Sequence, residues 1–268
     1  MDFTLYTYRR LLVTLKQAGC NFLRYEDYCR QKEQLPTKFV ILRHDVDLKA
    51  INSLATAKIE AELSIQATYY FRVVPQSNQP EIIKAIAALG HEIGYHYEDM
   101  TICDGNVSHA LTHFKKQLAY FRTFYPVKTI CMHGAPRSKF DGKDLWKTND
   151  YHMFGIIGEP YFDTDFSKIL YLTDTGRQWD GFQVSVRDKI PVYQDEWTKQ
   201  GLTFHTTDKI IQALQAPDSP IHQFAGIMFT THPQRWTDNK TAWTKELVLQ
   251  TVKNQLKRLF LVNSHTNI

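Results

Sequence analysis

Apolar runs of strand length alternate with amphipathic helical stretches along this chain, and most of the runs end in polar side chains. Few folds tolerate that alternation, because parallel neighbouring strands need a helical crossover between them. The clearest run is Phe39-Val-Ile-Leu-Arg-His-Asp-Val-Asp47. Its β-branched and bulky residues read as a buried strand, which then breaks into charge. Side chains alternate along a strand, so Arg43, Asp45 and Asp47 share one face while His44 and Val46 take the other. Read structurally, such acids cap the next helix or pair with Arg43. Read chemically, two carboxylates on one face can serve a hard metal ion and a general base. The carboxyl ends of parallel strands are also where α/β proteins place their ligands.

Residues 3–34 read as helix in two pieces, with Leu11, Leu12, Leu15 and Ala18 at helical spacing and Gly19 as a stop. After the charged strand, Ala50, Leu54, Ala57 and Ala61 mark an amphipathic helix. Further strands are expected at 67–74, 91–96, 127–132, 154–157, 169–172 and 227–231. The helices between them include one closed by Gly90 and one carrying Val107, Leu111, Phe114, Leu118 and Phe121. Two more are expected at 207–216 and 241–261, the last with Trp243, Leu247, Val252, Leu256 and Leu259 as its stripe. About seven strands, with no glycine-rich phosphate loop after the first, point to an α/β parallel barrel rather than a dinucleotide-binding sheet. A barrel gathers its strand ends into one mouth. Asp45 and Asp47, His96 with Glu98 and Asp99, His133 with Arg137, Glu159, Asp174 with Arg177, and His232 all fall at such ends.

With 43% hydrophobic and 22% charged residues in 268, the composition suits one globular core, and a single domain over 1–268 is expected. Residues 1–36 form its N-terminal helical extension. The net charge of +4 is scattered, which gives no warrant for nucleic acid or a membrane surface. Neither a membrane-spanning run nor a secretory signal is read, and Cys20, Cys29, Cys103 and Cys131 lack metal or disulfide-scaffold spacing, so a cytoplasmic protein with free thiols is expected. Aromatic residues at 13% suit sugar platforms and core filling alike.

Leu89-Gly-His-Glu-Ile-Gly-Tyr-His96 and Arg43-His-Asp-Val-Asp47, with Thr231-His232-Pro233 after the last strand, carry a resemblance. From about residue 36 to 232 the chain resembles the NodB-type polysaccharide deacetylases. The resemblance implies an irregular (β/α) barrel of about seven parallel strands and hydrolysis of an acyl, chiefly N-acetyl, group on a sugar. It implies Asp45 as base, Asp47 in the Asp-x-Asp variant as metal ligand, His96 as a second ligand and His232 as acid. The family's next histidine would stand at 100, where this chain has Met100, and a thioether is a poor partner for zinc. His133, Glu98 and Asp99 are the candidates to replace it, and His133 is favoured because a strand-end imidazole points into the mouth. Cys131-Met-His-Gly-Ala-Pro-Arg137 stands in the place of the family's arginine-proline motif, with its residues in a different order.

His91 falls on the opposite strand face from His96 and reads as structural. Arg43 and Arg137 are expected to orient a carboxylate or bind substrate, although a loop arginine is as often merely solvated. Asp174, Arg177 and Trp179 suggest a substrate wall with a stacking aromatic, with a plain turn as the alternative. The expected activity is metal-assisted hydrolysis, with a divalent ion such as zinc, of an acylated carbohydrate or small amide. Two alternatives stand: a metal-independent amidohydrolase acting on cyclic amides, and a non-catalytic carbohydrate-binding protein.

Overall fold

The computed structural model describes residues 1–185 and 187–265. Seven strands form one sheet: β1 (Asn21–Leu23), β2 (Phe39–Val46), β3 (Thr68–Phe71), β4 (Glu92–Tyr97), β5 (Ile130–Met132), β6 (Ile169–Thr173) and β7 (Gly226–Thr231). Every pairing is parallel, in the order β5-β4-β3-β2-β7-β6, with β1 beside the first half of β2. The sheet curls into a half-barrel, the irregular (β/α) architecture expected from the sequence. β2 lies at its centre and all eight of its residues are buried, as a strand covered on both faces must be. β1 and β3 share one edge of β2 end to end, at Phe39–Ile41 and Arg43–Val46, while β7 takes the other edge.

Three departures from the sequence reading have physical causes. Phe154–Ile157 is no strand: Tyr151–Phe154 winds into a short helix that Gly155 ends in the left-handed region, leaving one bridge from Gly158 to Thr129. The first 36 residues are not wholly helical, because β1 between the helices Leu5–Gln17 and Tyr25–Arg30 joins the sheet. Finally, Leu247, Val252 and Leu256 do not pack on the body but are exposed on the helix Lys240–His265, and the side chain of Leu259 lies outside what is described. The inward side of that helix is more polar, with Trp243 and Asn254 bonded to the chain beneath and Gln250 donating to Asn254 one turn on.

A buried polar network ties helices to the back of the sheet. Glu60, on the helix Ala50–Glu62, accepts hydrogen bonds from Tyr8, from Tyr69 at 2.7 Å and from His44 at 2.7 Å. This turns Ser53, Thr56 and Glu60 of that helix inward beside Ala50 and Ala57, while Leu54 and Ala61 are only partly covered. His91 also faces this side, bonded to Ala67 N and the Ala57 carbonyl, and is structural as expected. All four cysteines are free, and among the described residues no helix is long and apolar enough to cross a membrane.

Candidate metal centre

The alternation along β2 sends His44 to the Glu60 network and Asp45 to the opposite side, into a cleft at the carboxyl ends of the strands. His96 near the end of β4, and Asp47, His133 and His232 just beyond β2, β5 and β7, line the same cleft. Five of the expected site residues therefore meet.

Asp47 Oδ1 lies 3.6 Å from His96 Nε2 and 3.4 Å from His133 Nε2. It is sealed from solvent and has no hydrogen-bond partner among the described residues. A buried carboxylate oxygen without a donor is costly, and it calls for a cation or an ordered water. Both imidazoles are held through their far nitrogens: His96 Nδ1 donates to the Cys131 carbonyl at 2.9 Å, and His133 Nδ1 to Glu98 Oε2 at 2.8 Å. Because carbonyls and carboxylates only accept, Nδ1 carries the proton in each ring and Nε2 offers its lone pair beside Asp47. Glu98 is fixed in turn by Arg72, at 2.9 and 2.8 Å. Burial, together with His133, outweighs the pull of Asp45 and Asp47 and brings His96 down to about 4, so the imidazole is neutral at neutral pH. Ligands bonded to a tetrahedral zinc at about 2.0–2.2 Å lie about 3.3–3.5 Å apart, close to both Asp47–imidazole separations. The donor types suit a divalent metal ion.

Asp45, His96 and Cys131 are a tighter group, with one ligand atom from each inside 4.8 Å of the others. Two of its members are already engaged. Asp45 is clamped by Arg43 at 2.9 and 2.6 Å, and the Cys131 thiol donates to the Met132 carbonyl. Burial also pushes that thiol well above its usual range despite Arg43, which disfavours the thiolate a metal needs. The set built on Asp47 thus has the freer donors, and the Asp45 set the tighter spacing.

His232 brings Nε2 to 3.8 Å from Asp47 Oδ2, while its Nδ1 bonds Asp174 Oδ1 at 2.6 Å. Asp174 also accepts from the His232 backbone N–H, Trp236 Nε1 and Arg235 Nη1. Burial and Arg235 disfavour the imidazolium, yet Asp174 outweighs them and raises His232 above the ordinary histidine range.

Other expected residues lie elsewhere. Met100 is buried in the apolar core and Asp99 bonds Tyr95 and His113, so neither supplies the missing ligand. Arg137 is exposed on a turn outside the cleft lining. Arg177 does not line a substrate wall; its guanidinium sits 4.3 Å from the Trp243 ring and donates to the Trp243 carbonyl. Trp179 is no exposed platform, because its ring packs on Phe229 and Trp236 and its Nε1 bonds Thr207. An exposed stacking face would have cost the core one of its largest apolar groups.

Residues that sequence reasoning missed complete the cleft: Tyr161, Asp188, Arg187, Arg235 and Lys257. Asp188 accepts hydroxyls from Tyr161, Tyr171, Thr173 and Thr175, and with Arg43 and His232 nearby it is held below the usual carboxylate range against the effect of burial. It comes from an irregular segment with no motif or periodicity to mark it. Arg235 carried a faint signal, three residues after His232 at the same strand end.

Among known proteins, no family model, curated protein or solved structure matches the chain. The fold and cleft define an α/β half-barrel whose strand ends gather carboxylates and imidazoles in an arrangement able to hold a metal ion.

Proposed function

We propose that this chain is a metal-assisted hydrolase that removes an acyl group, chiefly N-acetyl, from a sugar or sugar-containing precursor, as its resemblance to the NodB-type deacetylases implies. The observation that carries the reading is the orphaned Asp47 Oδ1 beside two imidazole nitrogens already freed by hydrogen bonds on their other side. Asp47, His96 and His133 would hold the ion. When bound, a divalent ion such as zinc supplies a lowered pKa for water and a Lewis acid for the acyl oxygen.

The remaining work falls to side chains of the chain itself. Asp45 stands with Oδ2 3.7 Å from His96 Nε2, next to the ligand set, and takes the proton of the attacking water. Arg43 holds that carboxylate in place from behind, braced by the Tyr161 hydroxyl and ring. On the far side of Asp47, His232 donates a proton from Nε2 to the leaving nitrogen, with Asp174 fixing its ring. Burial of Asp45 and His96 keeps bulk water away from the reacting atoms.

The test is acetate release from a panel of N-acetylated sugars, sugar phosphates and nucleotide sugars by zinc-loaded protein. Asp45→Asn should lower turnover on the order of a hundred- to ten-thousandfold while metal content stays unchanged. Turnover near the unmodified rate in that variant rejects Asp45 as base. Full activity after chelation favours the metal-independent amidohydrolase.

A further inference from the structure

Beyond the residues assigned to the reaction, the cleft lining carries three cations, Arg187, Arg235 and Lys257. Arg187 is committed to structure, since its Nη1 donates to the Gly134 and Ala135 carbonyls at 2.8 Å and its Nη2 to Ser138 O at 2.9 Å. Arg235 spends Nη1 on Asp174, and its Nε and Nη2 have no protein acceptor among the described residues. Lys257 is half-buried and makes no ion pair among the described residues.

The fold places Lys257 there at a cost. Its helix is pinned to the loop after β6 by Asn254, which donates to the Gly176 carbonyl at 2.7 Å, and by Arg177 on the Trp243 carbonyl. That docking leaves Val248, Leu249, Val252 and Leu256 exposed while Lys257 joins the cleft lining. Burial, Arg235 and Lys253 all work against the lysine's charge, and only Asp188 favours it. A half-buried cation beside other cations is a ready counter-charge for an anion that comes and goes.

We infer that Lys257 and Arg235 form a subsite for a phosphate group carried by the acylated substrate, beside the acyl-hydrolysing centre. The assignment to substrate rests on the function proposed above. A lysine ammonium with three rotatable donors and the two uncommitted nitrogens of an arginine suit a tetrahedral oxyanion with several acceptors. The substrate class is then an acylated sugar phosphate or nucleotide sugar rather than a neutral glycan.

Phosphorus NMR titration of inorganic phosphate against the full chain tests the subsite without relying on turnover. Saturable binding is expected in the unmodified protein and in His96→Ala, which disables the metal set. Lys257→Met should weaken it on the order of tenfold or more, the size of a lost charge-assisted hydrogen bond, Lys257→Arg should retain most of it, and the exposed Lys245→Met should leave it unchanged. Circular dichroism of each variant confirms folding. No saturable binding, or equal binding in Lys257→Met, overturns the subsite. Binding lost in His96→Ala but kept in Lys257→Met also overturns it, because phosphate then sits on the ion. If the subsite binds but no acylated sugar phosphate or nucleotide sugar is hydrolysed, the proposed function fails and the subsite stands.

Discussion

An imidazole can serve as a metal ligand when its other nitrogen is already held and the near one is free, and that criterion separates the cleft histidines, His232 on Asp174 included, from His91. His96 and His133 meet it through Cys131 O and Glu98, whereas His91 spends both nitrogens on backbone groups. Metal analysis of purified variants should therefore show Asp47→Asn, His96→Ala and His133→Ala losing most of their ion, with Cys131→Ala unchanged. Glu98→Gln should weaken affinity by about ten- to a hundredfold, the usual penalty for removing a ligand's hydrogen-bond partner. If Cys131→Ala empties the site and His133→Ala does not, the tighter Asp45, His96 and Cys131 group is the metal site instead. At this scale the sequence showed the candidate ligands because strand-end position is a local property. It misplaced Arg177 and Trp179 because burial among Phe3, Phe229, Trp236 and Trp243 is a tertiary property that no local pattern carries.

Secondary structure was legible where apolar periodicity was strong. Six of the seven expected strands form, and the strand that does not, 154–157, was the short stretch containing Gly155. The three-residue β1 could not be seen, because a segment so short has no period to detect. Within β4 the motif glycine has a packing reason: a Cβ on Gly94 would stand 2.3 Å from two ring carbons of Tyr70 and 3.0 Å from the Thr129 carbonyl. Tyr70 cannot step aside easily, since it is fully buried and its hydroxyl bonds Thr129 Oγ1 at 2.9 Å. Gly94→Ala should destabilise the protein by about 1–3 kcal/mol or more through overpacking. A denaturant midpoint within error of the unmodified protein would show that the strand shifts freely and that Gly94 is not a packing requirement.

Across the whole molecule, the N-terminal segment is joined to the foot of the sheet by one buried carboxylate. Glu92, first residue of β4, accepts from Glu26 N at 2.9 Å, from Thr68 Oγ1 at 2.7 Å and from Thr129, so it links the helix Tyr25–Arg30 to β3 and to the start of β5. Burial, aided by the nearby Glu26 carboxylate, raises Glu92 to about 7 even though those three donors favour its ionised form. In the unfolded chain the group has its ordinary value of 4.5. Between these two values the folded protein holds a proton that the unfolded chain has lost, so stability is greatest below the lower one and falls as pH rises toward the higher. The loss over that span is up to about 3 kcal/mol, with the further fall small above neutrality. Glu92→Gln should remove this component of the slope and leave the variant more stable than the unmodified protein at pH above about 7. The amide fits the same partners, because Thr129 Oγ1 can accept from the new NH2 while donating to Tyr70 OH. Chemical denaturation of both proteins across the mildly acidic to mildly alkaline range makes the comparison. Parallel stability curves would show that Glu92 stays ionised in the folded state, and that the three donors at the foot of the sheet outweigh its burial.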